Sequence, residues 1–173
     1  YRTKEHAWSV YTRADGLPED QAEALAFDKN GVLYVATQCH GIIIVRPGAE
    51  SGIRTIGHIT APFRFGPRKI ATIPLLPRGS GLPTNLVNDI LVARDGTVYV
   101  ATCAGLARSS RGGRTWKYIR GKDYVSKVKG LRDGQPPGWK PAPQAVMDSL
   151  LPEDYVTCVE EDRFGRIWLG FRC

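Results

Sequence analysis

The chain lacks a hydrophobic run approaching the ~18 residues that a membrane-crossing helix needs, so this segment carries no helical span. Cysteine is sparse. Cys39, Cys103, Cys158 and Cys173 are the four present, and no two form a C-x-x-C pair, which argues against a zinc ribbon or a disulfide-rich scaffold. Histidine is sparser still, with His6, His40 and His58 far apart in sequence. No glycine-rich loop leads into a helical pattern and no nucleophile elbow is present. No RNA-binding or zinc-finger signature accompanies the positive charge, so nothing marks nucleic acid as a partner. Helical periodicity is nearly missing, its one hint being Pro143 to Leu150. A leader peptide is also missing, but the chain opens on Tyr1, so that lack carries no weight.

Turn formers are plentiful: 19 glycines and 12 prolines among 173 residues. Hydrophobic content of 42% suits a folded domain. The net charge of +7 comes from 24 Lys and Arg against 17 Asp and Glu. Its densest stretch runs through Arg108, Arg111, Arg114, Lys117, Arg120 and Lys122 to Lys127, Lys129 and Arg132. On one face, such a stretch could follow a phosphate backbone or an acidic polysaccharide. The plainer reading is a solvated edge strand guarded against pairing.

The strongest signal is a phrase written three times. Each copy opens on Leu-Pro, at Leu17-Pro18, Leu82-Pro83 and Leu151-Pro152. A short strand follows over Ala24–Phe27, Asn88–Val92 and Tyr155–Glu160. A glycine-closed turn comes next, ending at Gly31, Gly96 and Gly165, where Asp and Asn can bond back to the backbone. The second strand is the richest in β-formers: Val32–Thr37, Thr97–Thr102 and Arg166–Leu169. Third strands are expected at Ile42–Val45 and Leu106–Arg108, and a fourth at Trp116–Ile119. Ala7–Tyr11 reads as the fourth strand of a unit whose first three are absent, and Trp8, Trp116 and Trp168 read as structural strand residues.

Four antiparallel strands per copy, with nothing helical between them, predict an all-β fold of β-propeller blades. The chain divides into a blade end at 1–15, a blade at 16–80, a blade at 81–150 with an insertion at 121–150, and a partial blade at 151–173. The copies are spaced more widely than the ~40–50 residues of a compact blade. Pro47–Pro77 holds Arg54-Thr55-Ile56 and Lys69–Ile73, either of which could supply a displaced outer strand. Two full blades and two partial ones do not close a ring, which normally takes ~4–8. The chain therefore reads as an incomplete propeller: part of a longer protein with further blades, a module completed by another chain, or a piece of a nicked ring.

The phrase resembles the two-component-regulator propeller repeat of bacterial sensor propellers. Trp8–Thr12, Asp15–Pro18 and Ala24–Asp28 with Gly31–Thr37 carry it in the first copy. Gly81–Pro83, Asn85, Val87, Asp95-Gly96, Val98–Thr102 and Gly105-Leu106 carry it in the second. Leu151-Pro152, Val156, Asp162 and Gly165–Gly170 carry it in the third. The resemblance covers about half the chain and implies a sensor domain on the periplasmic or extracellular side, in signal transduction. Ser109–Trp116 is also similar to the Asp-box hairpin of glycan-active propellers, with Arg111 where that family has Asp. This gives slight weight to a carbohydrate partner.

Candidate site residues are few. His40 beside Cys39 could prime a thiol, but one such pair lacks the three or four ligands of a zinc site, so no metal or cofactor is expected. Glu19-Asp20 and Glu153-Asp154 recur at one repeat position and could ring a channel mouth, or serve their own turns. Trp139, in a proline-rich loop, could stack on a ligand or, more plainly, pack within its own loop. Arg111 and Arg114 could meet an anion. Cys39 and Cys103 are near-equivalent in two copies, so a bridge between them is open, as are two buried free thiols acting as small hydrophobes. The leading expectation is a non-catalytic segment that recognises carbohydrate or another protein chain. The alternatives are a glycan-active lyase or hydrolase and a structural assembly module.

Overall fold

The computed structural model describes residues 8, 10–48, 52–61, 74–110, 112–130 and 138–172. Its strands are β1 Ala22–Phe27, β2 Leu33–Thr37, β3 Ile42–Gly48, β4 Gly52–Ile59, β5 Arg78–Ser80, β6 Val87–Val92, β7 Val98–Thr102, β8 Gly105–Ser109, β9 Lys117–Ile119, β10 Val156–Glu161 and β11 Ile167–Phe171. Two short helices, α1 Tyr124–Gly130 and α2 Gln144–Asp148, lie between β9 and β10. The strands form three antiparallel sheets: β1-β2-β3-β4, β5-β9-β8-β7-β6, and β10-β11.

All three copies share a register irregularity at one position. The break falls between Ala22 and Ala24, between Val87 and Asp89, and between Val156 and Cys158. A bulge repeated at one place marks one unit built three times. Each turn after the first strand is held by an aspartate. Asp28 Oδ1 accepts from Asn30 and Val32, Asp95 Oδ1 from Thr97, and Asp162 Oδ1 from Phe164 and Arg166.

The sheets stack face to face, with the first strands of successive copies side by side: β1 against β6 and β6 against β10. This is the arrangement of propeller blades around an axis. Alternation along each strand sends one set of side chains forward and the next set back. Tyr34, Ala36, Ile42 and Ile44 of the first blade are buried against Ile90, Val98, Val100, Ala107, Trp116 and Tyr118 of the second. Ala101, Leu106 and Tyr99 of the second pack with Val156, Val159, Ile167 and Leu169 of the third.

Several expectations are corrected. Trp8 and Val10 are not in a strand, and Trp8 is 78% exposed, so it is no core anchor. Trp168 lies in β11 yet is 58% exposed. The stretch around Arg54–Ile56 does supply the outer strand of the first blade, as β4, and it pairs directly with β3. Lys69–Ile73 lies outside the described residues. The 121–150 insertion holds α1 as well as the expected α2, and Tyr124 and Val128 of α1 are fully buried with Leu150.

Gly41, just before the third strand of its blade, and Gly105, the first residue of the equivalent strand, have φ of +75° and +113°. A Cβ there would enter the carbonyl oxygens of Ile59 and Ile119, the last residues of the fourth strands. Gly105→Ala is therefore expected to lower stability by ~2 kcal/mol or more, from strain plus clash. Gly96→Ala, also at positive φ (+83°) but in open space, should cost only ~1 kcal/mol. Urea unfolding of both variants would check the difference.

Candidate functional site

Antiparallel topology sorts the turns onto two rims. The start of each first strand, the end of the second and the turn into the third share one rim. The turns after the first and third strands share the other. Glu19, Asp20, His40, Cys39, Cys103, Glu153 and Asp154 thus gather at the first rim, where the 121–150 insertion also departs. Arg114, exposed in the turn between β8 and β9, lies at the opposite rim. Arg111 and Cys173 lie outside the described residues.

The fourth residue of each Leu-Pro motif does the same work in every copy. Asn85 Oδ1 accepts from Ala61 N at 2.5 Å, Asp154 Oδ1 from Gly121 N at 3.0 Å, and Asp20 Oδ1 from Arg13 N at 2.9 Å. Ala61 and Gly121 each stand two residues past the preceding blade's fourth strand. The main chain adds a second tie: Gly41 N donates to Asn85 O and Gly105 N to Asp154 O. In the second and third copies the motif is a clasp between blades. It does not serve its own turn, as the sequence had suggested.

At Asp154 the clasp becomes a buried charge network. Arg120 and Asp154 are both fully buried. The guanidinium forks onto the carboxylate, Nε to Oδ1 at 3.0 Å and Nη2 to Oδ2, while Nη1 donates to the Pro74 carbonyl. Asp154 N donates to Asp123 Oδ1 at 2.6 Å, and Lys127 Nζ lies 3.5 Å from both carboxylates. Arg120 also stands 5.4 Å from the Tyr124 ring centroid. The network ties the insertion to the second and third blades and leaves no exposed Asp154 oxygen for a ligand.

Glu19 and His40 meet at the first blade. Glu19 Oε1 accepts from Cys39 N at 2.8 Å and His40 N at 3.1 Å, and His40 Nδ1 lies 3.3 Å away. Desolvation works to raise the Glu19 pKa. Hydrogen bonds from Cys39, Thr37 and His40 outweigh it and hold the carboxyl below its ordinary value. Cys39 shifts the other way: desolvation first, then the Glu19 and Glu23 carboxylates, push its thiol up. That is the wrong direction for an activated nucleophile. Cys39 and Cys103 are free thiols, so no bridge joins them, and Cys39 is exposed rather than buried.

Trp139 is half-buried and packs with Tyr124, Val128, Leu150 and Met147, so its ring serves the insertion's own small core. Glu153 is half-buried and His40 exposed. Among the described residues, no group of three His, Cys, Asp or Glu is placed to hold a metal ion. Sequence reasoning overlooked Asn88 and Asp89, which reach from β6 to β10: Asn88 Nδ2 donates to Val156 O, and Asp89 Oδ2 accepts from Val159 N. Arg94 does the same between turns, its backbone N donating to Glu161 and its guanidinium to the carbonyls of Asp162 and Arg163. Polar residues amid a strand pattern were the available signal.

Small antiparallel sheets, stacked with their first strands side by side, define a propeller-type repeat protein. Residues 150–172 match the family model for the two component regulator propeller. The matched stretch is the third copy, and the first two share its phrase and its bulge. Among solved structures, the extracellular domain of BT3049 of B. thetaiotaomicron, described as a hybrid two component system, aligns with TM-score 0.47 and 16% identity over 95% of this chain and 22% of its own. The extracellular domain of BT4673 of the same organism is described as a one component system in one structure and a hybrid two component system in another. These align at 0.32 and 0.30, each with 14% identity, over 88% and 87% of this chain and 22% and 21% of theirs. The chain spans about a fifth of the length of those domains. No curated protein matches it.

Two predictions follow from the geometry. Asp154→Asn strips a buried arginine of its main counter-charge and should cost ~3 kcal/mol or more in urea unfolding. Asp20→Asn, exposed and replaced by the amide that Asn85 already uses, should be close to neutral. The second concerns acid. A side-chain hydrogen bond from Trp168 is the largest influence on Asp162; with those from Arg166 and Phe164 it lowers the carboxyl from 3.8 to about 2. The unfolded carboxyl takes up its proton first as pH falls. Its contribution is therefore whole above 3.8 and is lost as pH drops toward about 2. Thermal melts of Asp162→Asn should show a shallower loss of stability across that window.

Proposed function

We propose that this chain is a non-catalytic recognition segment of a sensor-type propeller on the extracytoplasmic side of a bacterial membrane, with further blades completing the ring. The observation that carries this reading is the family match of the third copy, set beside the use made of the recurring polar residues. Asn85 and Asp154 clasp blades, Asp20 holds the Arg13 N–H just ahead of its own copy, and Asp28, Asp95 and Asp162 close turns. Scaffold residues repeat, while the rim differs from copy to copy. Rims of this kind, where loops sit on a rigid frame, are where recognition groups collect.

The ligand-facing surface is the first rim, with His40 and Glu153 among its accessible polar groups and the 121–150 insertion as its variable wall. Oligosaccharides are the first class to test, because such a rim offers directed hydrogen bonds at an exposed edge. The raised Cys39 pKa and the Glu19 carboxylate committed to backbone N–H groups favour binding over thiol chemistry. A nitrogen-15-labelled chain titrated with neutral and acidic oligosaccharides should show amide shifts at Cys39, His40 and Glu153. His40→Ala should weaken binding by about fivefold, the loss of one hydrogen bond. Shifts confined to the opposite rim, or turnover of any of these sugars, would overturn the reading.

A further inference from the structure

The rim opposite the proposed recognition surface repeats a cation. Asp28 N donates to Val32 O, Ala93 N to Thr97 O and Asp162 N to Arg166 O, which aligns the three turns that follow the first strands. The next residue in each turn is basic: Lys29, Arg94 and Arg163. All three are exposed. Arg46, toward the end of β3, and Arg114, in the turn after β8, add exposed cations to the same rim.

The carboxylates of this rim are committed to its own turns. Asp28, Asp95 and Asp162 accept from backbone N–H groups there, and Glu161 Oε2 accepts from Arg94 N at 2.8 Å. Asp162 also takes Arg166 Nε at 2.6 Å. Among the described residues, no ion pair reaches Lys29, Arg46, Arg94, Arg114 or Arg163. Arg94 and Arg163 are even drawn together, since the Arg94 guanidinium donates to the Asp162 and Arg163 carbonyls. Cations gathered in this way repel one another until an anion lies over them.

One large apolar side chain stands among them. Phe164 is the third residue of its turn and is 67% exposed. Arg163 and Arg166 lie 4.6 and 5.3 Å from its ring centroid. The exposure comes with the turn tip. Asp95 holds the same place in the second copy, between two blades, and is exposed too.

We infer that this rim rests on an anionic lipid surface, with the unpaired cations over the phosphates and Phe164 entering the headgroup layer. The turns end on one side of the stack, so they meet a broad surface together. Each Lys or Arg near an anionic bilayer adds its own attraction, and an apolar ring flanked by arginines suits the boundary between headgroups and acyl chains. An acidic soluble polymer would satisfy the cations but would offer Phe164 no apolar phase. The inference goes beyond the recognition reading and does not rest on it. A chain seated this way turns its first rim away from the membrane.

The test is sedimentation of the whole chain with vesicles of phosphatidylcholine and phosphatidylglycerol, about three to one, at low salt. Binding should be at least about tenfold stronger than to pure phosphatidylcholine and should fall as salt rises. Lys29→Gln and Arg163→Gln should each weaken it about fivefold with little change in melting temperature. Phe164→Trp should gain emission that moves to the blue on adding the mixed vesicles, beyond any change in the unaltered chain. Equal binding to the two kinds of vesicle, binding to neither, or unchanged binding in both glutamine variants would overturn the inference. So would capture of dextran sulfate with no blue shift of Phe164→Trp on vesicles, since an acidic polymer would then be the partner.

Discussion

The clasp at the Leu-Pro motif is the constraint on which the rest of this structure depends. Among the described residues neighbouring blades share no paired strands, only the bridge between Gly121 and Leu151, and apolar faces alone fix neither the offset nor the tilt of one sheet on another. Asn85 and Asp154 supply that direction. Each side chain takes an N–H just past the end of the preceding blade, and each backbone carbonyl takes the N–H of the glycine that opens that blade's third strand. The two bonds pin one rim of the preceding sheet, at the start of its third strand and just past its fourth, to the first residues of the next. Glycine at 41 and 105 follows from the same demand, because the fourth strand's last carbonyl passes where a Cβ would stand.

A fixed clasp explains how connections of very different length can serve equivalent blades. The pairs Arg13–Asp20, Ala61–Asn85 and Gly121–Asp154 are separated by 7, 24 and 33 residues. Once the ends are fixed, each doubling of a loop adds only ~0.6 kcal/mol of closure entropy. Insertions can therefore grow at this rim without disturbing the stack. The longest carries its own anchorage: α1 lodges Tyr124 and Val128, and Lys127 reaches the Asp123 and Asp154 carboxylates.

Strands inside the repeated phrase were legible because turn chemistry and β-branched runs agree there three times over. β4 was less so. Gly52–Ile59 holds two glycines, at 52 and 57, and no clean alternation, and it becomes a strand because β3 offers it a long partner edge. α1 was invisible because its helicity comes from the contacts of two buried side chains and not from a periodic stripe. Asp20 and Asp154 were legible as recurring, but not as to partner, because the groups they bind are backbone N–H groups of a distant segment. One clue was present. Asn85 at the same position shows that the task is accepting a hydrogen bond, which an amide oxygen performs as well as a carboxylate. Asp154 bears its charge for Arg120, a second task added to the first.

Position 34 of the repeat measures how far one blade relies on the next. Tyr34, covered by a five-stranded blade, is 0% exposed. Its equivalent Tyr99, covered by a two-stranded one, is half-buried, and Trp168, at the same place in the third blade, is 58% exposed. The opposite face shows the converse: Leu25 is 61% exposed where its equivalent Ile90 is 5% exposed. Side chain type changes little along each series while burial changes almost completely. Burying a large apolar side chain contributes ~1.5–3 kcal/mol. A blade of this kind therefore draws much of its stability from interfaces, as stacked repeats do.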